Sequence, residues 1–329
     1  MAGIIVHPAP AATPPAPAPA PPPAPPVTVA PTNLPLPGCP PPPYTGPPAA
    51  PPWHPAHLVP DSQLPPAPAA PPGRNPTAAI SGKGMWIWQL AAIDHGDPSA
   101  IVSDAVAAGL HQIWLRVGDS PDGFYGAEAL SRLVPAAHRA GLRVIGWGFP
   151  YLFDPVADAE WTKAAIAWRT ADGQGLDGWS ADIETAAEGV ALSPQRVSVY
   201  LGRVRAADPH TVLVATVFPP TDQQQARYPF GTMAPYVDAY APMLYWGCTQ
   251  PVLDVQQALS RLRPLGPEVH VIGQAYDMAP YGGRRGAPPA RELDAFMLAA
   301  RQAGAVGASF WSWQSIDSEE WSAVSGFRW

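Results

Sequence analysis

Apolar residues over positions 83–329 follow two alternating spacings. Short apolar runs rich in Val, Ile, Trp and Phe are each followed by a longer segment in which apolar residues recur at helical spacing. The short runs predict eight β-strands, at residues 85–90, 111–117, 143–149, 178–184, 211–218, 240–246, 268–276 and 306–313. The segments between them predict helices at residues 97–109, 126–141, about 154–172, 193–208, 230–238, 251–266, 288–304 and 318–325.

Signals at the ends of these helices support the alternation. Asp97 and Pro98 are typical of a helix start, as N-cap and first helical residue. Gly141 stands where a left-handed C-cap is expected. Eight strand–helix pairs predict an α/β fold of the (β/α)8 or TIM-barrel type over 83–329, because parallel neighbours need a crossover connection. A doubly wound open sheet is the alternative, but MWIWQLAAIDHG after the first strand is not the glycine-rich phosphate loop typical of that fold.

The composition of residues 1–82 differs from that of the barrel. Thirty of the 48 prolines lie in the first 80 residues, where Asp61 and Arg74 are the only charged side chains. Such a segment has too few large apolar side chains to offset the entropy of ordering its backbone. We interpret it as a Pro/Ala-rich extended or disordered arm without catalytic residues, able to serve as a spacer or as a docking segment for a protein partner.

The charge and the cysteine content limit which kinds of binding partner and which location the sequence predicts. A net charge of −7 without a basic run argues against nucleic acid as a partner. No apolar stretch is long enough for a membrane span, and the N-terminus does not resemble a secretory signal. We interpret Cys39 and Cys248 as two unrelated thiols, with a bridge between them as the alternative, and expect neither a metal nor a cofactor. An extracellular, wall-associated or virion location is favoured over a cytoplasmic one.

Polar and aromatic side chains recur at the carboxyl ends of the predicted strands, which is where barrel chemistry is located. Aromatic rings stack on sugar faces, while amides and carboxylates pair with hydroxyls, so this mixture predicts carbohydrate binding. The candidate substrate-binding residues at these positions are Trp88, Gln89, Arg116, Asp119, Trp147, Met243, Trp246, Gln274, Tyr276, Asp277, Trp311 and Trp313.

Two carboxylates end the fourth predicted strand. Asp182 and Glu184 are two residues apart and therefore face the same side of a strand, with Ser180 below them. At that spacing both cannot ionise freely, so one is expected to hold a proton near neutral pH. A protonated carboxyl beside an ionised one can protonate a glycosidic oxygen. The alternative is a structural pair that binds Arg116.

The stretch Asp177-Gly178-Trp179-Ser180-Ala181-Asp182-Ile183-Glu184 resembles the DGxDxDxE signature of glycoside hydrolase family 18, the chitinase-like barrels. Ser180 replaces the middle aspartate of that signature. The D-x-E core is also similar to that of the family 25 lysozyme-like barrels. Met243-Leu244-Tyr245 resembles the M-x-Y of the chitinase group, and the segment from Trp311 to Trp313 resembles its sugar-platform tryptophan. The chain thus looks like a divergent glycoside-hydrolase-like barrel.

The resemblance implies roles for individual residues. Glu184 would be the general acid and later the base, and Asp182 would orient the substrate N-acetyl group that attacks the anomeric carbon. Tyr245 would hold that group from the other side, and Asp177 would belong to the site as part of the motif. Ser180 leaves room for an inverting scheme instead, with Asp119 or Asp277 as the second carboxylate.

Two functions therefore compete. The first is a glycoside hydrolase that acts on a cell-envelope or related polysaccharide. The second is a non-catalytic carbohydrate-binding barrel in a surface assembly such as a bacteriophage tail, as a minor tail protein or adhesin. Ser180 counts toward the second, because binding requires the aromatic surface but not the proton donor.

Overall fold

The computed structural model describes residue 36, residues 38–39 and residues 57–329. Most of the predicted arm therefore lies outside the described residues. Within them, the chain forms a closed barrel of eight parallel strands. These are β1 (Gly82–Ile87), β2 (Gln112–Asp119), β4 (Arg143–Phe149), β5 (Gly178–Asp182), β6 (Leu213–Val217), β7 (Ala239–Leu244), β8 (Glu268–Gln274) and β9 (Gly307–Trp311). The short strand β3 (Gly123–Phe124) is not one of these eight. Pairing of β1 with both β9 and β2 closes the ring, so the predicted (β/α)8 architecture is confirmed.

Helices follow the strands around the outside. They are α1 (Pro98–Ala107), α2 (Ala127–Arg139), α3 (Pro155–Ala167), α4 (Pro194–Ala207), α5 (Asp222–Arg227), α6 (Phe230–Met233), α7 (Pro251–Leu262), α8 (Ala290–Ala303) and α9 (Ser318–Gly326). The Asp97 side chain accepts a hydrogen bond from the Ser99 amide, and Gly141 has φ +78°, as the capping signals predict. The short helix expected near 230–238 is α6, which ends at Met233, and α5 precedes it where no helix was expected. In the described part of the chain no helix is long and apolar enough to cross a membrane.

A two-residue strand interrupts the regular alternation after β2. Strand β3 (Gly123–Phe124) pairs with the end of β2 in antiparallel register, Gly118 opposite Phe124. The backbone then returns to β2, where the Tyr125 and Gly126 amides both donate to the Val117 carbonyl at 3.0 Å. This hairpin stands at the carboxyl end of the barrel, beside the first strand loop.

Three tryptophans pack together among aliphatic side chains inside the barrel. Trp86 and Trp114 stack with ring centroids 4.7 Å apart, and Trp147 packs edge-on against Trp86 at 5.6 Å. The Trp86 indole donates to the Ser309 hydroxyl at 2.7 Å, and His270 contacts the same hydroxyl at 2.9 Å. These contacts fill the part of the barrel interior below the carboxyl ends of the strands.

Residues 57–81, here called the strap, lie along the outside of the barrel and end beneath it. Asp61 pairs with Arg196 of α4 at 2.6 Å, and the Asn75 amide donates to Asp238 at 2.7 Å. Ile80 is fully buried in the inner barrel core, and its carbonyl contacts His270 Nδ1 at 2.8 Å. The strap is therefore packed against the barrel although its sequence resembles the rest of the proline-rich segment.

Cys39 and Cys248 form a disulfide, with their Cα atoms 5.7 Å apart. The interpretation as two unrelated thiols is therefore wrong. The two residues are 209 positions apart, and only the tertiary structure places the loop after β7 beside residue 39. A backbone hydrogen bond of 3.1 Å from the Leu36 amide to the Cys248 carbonyl supports the same contact.

Candidate active site

A cavity of about 590 Å³ opens at the carboxyl ends of the barrel strands. It is lined by residues that the strands β1, β5, β6, β7, β8 and β9 or their following loops provide: Trp86, Trp88, Asp182, Glu184, Thr216, Met243, Tyr245, Ile272, Tyr276, Tyr281, Trp311, Ser312, Gln314 and Ser315. Its size lies within the range of small-molecule sites in proteins. The structure thus brings seven of the expected site residues together here, namely Trp88, Asp182, Glu184, Met243, Tyr245, Tyr276 and Trp311.

The two acids enter this cavity from the end of β5. Asp182 is the last residue of the strand, and Glu184 lies two residues beyond it. The backbone between them is fixed on both sides, because the Ile183 amide donates to the Thr216 carbonyl at 3.1 Å and the Tyr228 hydroxyl donates to the Ile183 carbonyl. Both carboxyl groups are therefore presented to the cavity on a restrained backbone.

Burial dominates the electrostatics of the acid pair. Asp182 is only 7% exposed and Glu184 is half-buried. Burial raises the pKa of Asp182, with Glu188 adding to the rise and Arg116 opposing it. Burial also raises the pKa of Glu184 well above its ordinary value, and the charges of Asp182 and Glu188 raise it further. The pair therefore retains a proton at a pH where ordinary carboxyl groups have lost theirs.

The acid pair is not neutralised by an ion pair. The Oδ1 atom of Asp182 is buried without a hydrogen-bond partner among the described residues. Arg116, the expected partner of a structural pair, instead binds Asp119 at 2.9 Å. In the described part of the chain no ion pair joins Arg116 to Asp182 or Glu184. Burying a carboxylate oxygen without a hydrogen-bond donor from the protein has an unfavourable free energy, which a donor from a bound ligand would offset.

Ser180 lies below the acids and is fully buried. Its hydroxyl contacts the Thr216 hydroxyl at 2.8 Å, across the pairing of β5 with β6. Thr216 also lines the floor of the cavity. The serine that replaces a carboxylate in the motif is therefore satisfied within the barrel.

Aromatic side chains form the walls. Tyr245, Tyr276 and Tyr281 follow one another from floor to rim, with ring centroids 5.6 Å and 6.0 Å apart. Trp311 packs against the buried Trp147 at 5.5 Å on the other side. Burial raises the pKa of Tyr245 well above its ordinary value, and the neighbouring Tyr276 and acids add to this. Its hydroxyl therefore remains a hydrogen-bond donor across the physiological pH range.

A second cavity of about 470 Å³ adjoins the first and contains three more of the expected site residues, Gln89, Arg116 and Asp119. Trp88 lines both cavities and is 42% exposed. Tyr125, at the end of the hairpin after β2, completes the outer side of the second cavity. These expected residues are thus at the barrel mouth, beside the acid pair but in a separate recess.

Three of the expected residues lie near the mouth without lining either cavity. Trp147 is buried beneath Trp311, and its indole donates to the Ile87 carbonyl at 3.1 Å. Gln274 is buried, with its amide oxygen accepting from the Gly247 amide at 2.8 Å. Asp277 caps its own loop, accepting from the Ala279 and Gly286 amides. These side chains support the walls and loops of the site.

Asp177 lies at the opposite end of the barrel, so the expectation that it binds substrate needs correction. It precedes the first residue of β5, where it pairs with His138 at 2.8 Å and with Arg143 at 3.1 Å. Its carboxylate also accepts from the Val144 amide. These contacts join the starts of two strands to α2, and the length of β5 separates Asp177 from the cavity.

Trp246 and Trp313 also lie outside the cavities. The Trp246 side chain is buried between the barrel and α8, where its indole donates to Glu292 at 3.0 Å and its ring packs on Phe296. Trp313 packs on Trp321 of α9, with centroids 5.0 Å apart. Each follows an inward-facing residue by one or two positions, and the strand ends turn them toward the helices.

Several lining residues were not expected. Trp86 forms part of the floor, and its inward position follows from the two-residue spacing to Trp88. Tyr281 is 58% exposed on the loop after β8, where strand periodicity has no predictive power. Glu188 does not line the cavity, yet its charge contributes to the raised pKa of both acids. It is held by the Thr185 side chain and amide in the loop after β5.

Comparison with known proteins finds similar folds among solved structures. No protein-family model matches the chain, and no curated protein matches it. Similar solved structures include an endo-1,4-β-D-mannanase from Thermotoga petrophila, with a TM-score of 0.59 and 11% identity over 75% of this chain and 98% of that one. A chitinase from Chromobacterium violaceum has a TM-score of 0.56 and 11% identity over 75% of this chain and 100% of its own chain. A chitinase-like agglutinin from Robinia pseudoacacia has a TM-score of 0.50 and 11% identity over 74% of this chain and 98% of its own chain.

These similarities span almost the full length of the solved chains at low identity. They show that the protein has the (β/α)8 barrel fold found in glycoside hydrolases, in a divergent sequence. The expected likeness to glycoside-hydrolase barrels is thereby confirmed for the fold.

Proposed function

We propose that the protein is a glycoside hydrolase that acts on a cell-envelope or related polysaccharide. The single observation that carries this proposal is that Asp182 and Glu184 line the same open, aromatic-walled cavity, where burial raises the pKa of both carboxyl groups. Glycosidases need a carboxyl group of raised pKa to protonate the leaving oxygen. Glu184, the more exposed of the two, is the general acid and later the base, and Asp182 is its carboxylate partner.

Substrate assistance is the favoured route. Asp182 has an unpartnered oxygen that can accept a hydrogen bond from a substrate amide, and Tyr245 can donate one to the amide carbonyl. The acetamido oxygen then attacks the anomeric carbon while Glu184 gives its proton to the leaving oxygen. The inverting route is less well supported, because Asp119 pairs with Arg116 and Asp277 caps its loop, and neither lines the cavity with the acids.

The test is release of reducing ends from peptidoglycan sacculi, chitin and mannan by the full chain. We expect release from at least one polymer, and the Glu184→Gln variant should lose at least about 100-fold of it, in the range of general acid catalysis. Glu268→Gln, an exposed glutamate at the amino end of β8, is the matched control and should retain activity. Undiminished activity in Glu184→Gln would contradict the assigned role.

The second candidate is a non-catalytic carbohydrate-binding barrel in a surface assembly such as a phage tail. It is favoured by Ser180, which replaces a motif carboxylate and is satisfied internally by Thr216. Saturable glycan binding without any release of reducing ends would support this candidate over the hydrolase. The Cys39–Cys248 disulfide supports an extracellular or virion location for either function, because disulfides persist in oxidising surroundings.

A further inference from the structure

The second cavity, which contains Gln89, Arg116 and Asp119, adjoins the first at Trp88. This side chain follows β1 directly and contributes to the lining of both. The Gln89 backbone carbonyl accepts a hydrogen bond of 3.1 Å from the side-chain amide of Gln314, which ties the loop after β1 to the loop after β9. Trp88 is thus presented on a fixed loop between the acid pair and the second recess.

Exposed aromatic rings mark one path over both cavities. In the described part of the chain, the exposed aromatic side chains are Tyr281 at 58%, Tyr125 at 45% and Trp88 at 42%. Tyr281 lines the first cavity, Tyr125 lines the second, and Trp88 lines both. Large apolar rings left in water at a concave site are typical of binding surfaces, and sugar rings stack on such faces.

The backbone of Tyr125 is restrained by hydrogen bonds and close packing. Its amide donates to the Val117 carbonyl at 3.0 Å, next to the short β2–β3 pairing. The following residue, Gly126, is packed so closely that an added Cβ would lie 2.3 Å from the Val117 Cβ. The glycine therefore permits a tight contact that fixes the backbone from which the Tyr125 ring projects, so little backbone ordering is required when a ligand binds.

The second cavity also contains polar groups suited to hydroxyls. The Arg116–Asp119 pair offers donors and acceptors side by side, and the Arg116 guanidinium lies over the Trp147 ring at 5.5 Å. The Arg116 Nε atom is buried without a hydrogen-bond partner among the described residues. A polar pair beside an aromatic face is the combination that a pyranose ring with adjacent hydroxyls requires.

We infer that the second cavity is an outer saccharide subsite. The ligand is then an extended oligosaccharide that passes from Tyr281 over Trp88 to Tyr125, with the acid pair beneath its inner part. This inference rests on the proposed carbohydrate function, although it does not require hydrolysis. It predicts a preference for chains long enough to occupy both cavities.

The test uses the full chain with Glu184→Gln, so that bound chains are not cleaved. Calorimetric titration would compare N-acetylchitohexaose and mannohexaose with the corresponding disaccharides. We expect at least one hexasaccharide to bind at least tenfold more tightly than its disaccharide. Adding Tyr125→Ala should weaken that hexasaccharide about tenfold, equal to about 1.4 kcal/mol, and leave the disaccharide unchanged.

Two variants serve as controls. Tyr125→Phe keeps the ring and should retain hexasaccharide affinity, and Leu298→Ala removes an exposed apolar side chain from α8, outside both cavities. Unchanged hexasaccharide affinity in Tyr125→Ala, or failure of both hexasaccharides to bind, would overturn the subsite regardless of catalytic activity. Tyr125-dependent binding by a wild-type chain that releases no reducing ends would instead overturn the hydrolase and retain the subsite.

Discussion

Two buried aspartates lie at opposite ends of the barrel and differ in what surrounds them. Asp238, just before β7 at the amino end, binds Arg205 at 2.6 Å and accepts from the Asn75 and Leu213 amides. Asp182, at the carboxyl end of β5, is similarly buried, but its Oδ1 atom has no hydrogen-bond partner among the described residues. Both lose hydration, and only Asp238 regains equivalent contacts from the protein. The comparison teaches that a buried carboxyl group without compensating partners, rather than burial itself, distinguishes the end where we propose that the reaction occurs.

The largest expected effect is on catalysis and comes from replacing Asp182, at the carboxyl end of the barrel. Asp182→Asn should lower kcat about 100-fold or more, because the amide cannot act as an ionised partner of Glu184. The folded protein should be retained, since no ion pair is broken. Steady-state kinetics with circular dichroism would measure both. Activity within a few-fold of wild type would show that Asp182 has no part in the reaction.

Removing the compensated aspartate should affect stability instead. Asp238→Ala leaves Arg205 buried and unpaired, so the free energy of unfolding should fall by about 3–5 kcal/mol. Urea denaturation would measure the loss. The control is Asp222→Ala, whose carboxylate is 94% exposed in its pair with Arg261 and should contribute at most about 1 kcal/mol. A loss as small as that of the control would remove the contrast between the two barrel ends.

Asn75 of the strap belongs to the same hydrogen-bonded group as Asp238 and Arg205. Asn75→Ala removes side-chain hydrogen bonds to the Pro209 and Thr211 carbonyls, at 2.9 Å and 2.8 Å, and should cost about 1–3 kcal/mol in unfolding free energy. Gln63→Ala, an exposed strap residue, is the control and should be neutral within about 0.5 kcal/mol. Equal stability of the two variants would mean that the strap does not support the barrel.

The smallest expected effect is in the pH dependence of stability. The folded protein holds Asp182 protonated at a pH where the unfolded chain has ionised it, so wild-type stability should fall as pH rises from about 4 toward and through the raised pKa. Asp182→Asn lacks this loss, and its stability relative to wild type should increase by at least about 1 kcal/mol over that range. Urea midpoints at several pH values would measure it. Parallel pH curves for the two proteins would contradict the raised pKa.

Periodicity accounts for most of what could be predicted. Strand spacing places Ser180 and Asp182 on one inner face, and the carboxyl-end rule for barrels identifies the acids, Tyr245 and Trp311 as neighbours. The same rule fails for Trp246, because alternation after the inward-facing Tyr245 turns it toward the helices. It fails for Trp313 because β9 ends at Trp311, after which alternation no longer determines direction. Asp177 could not be assigned by motif alone, since a position before the strand is at the other end of the barrel.

The sequence by itself determined the alternation of strands and helices, the barrel and the paired acids, because these depend on contacts between near neighbours and on apolar spacing. Only the tertiary structure decided that Cys39 meets Cys248, that the strap ends beneath the barrel, and that Arg116 binds Asp119, with no ion pair to Asp182 among the described residues. Those outcomes depend on which distant segments share a surface, and on how much water and how many partners each buried charge retains.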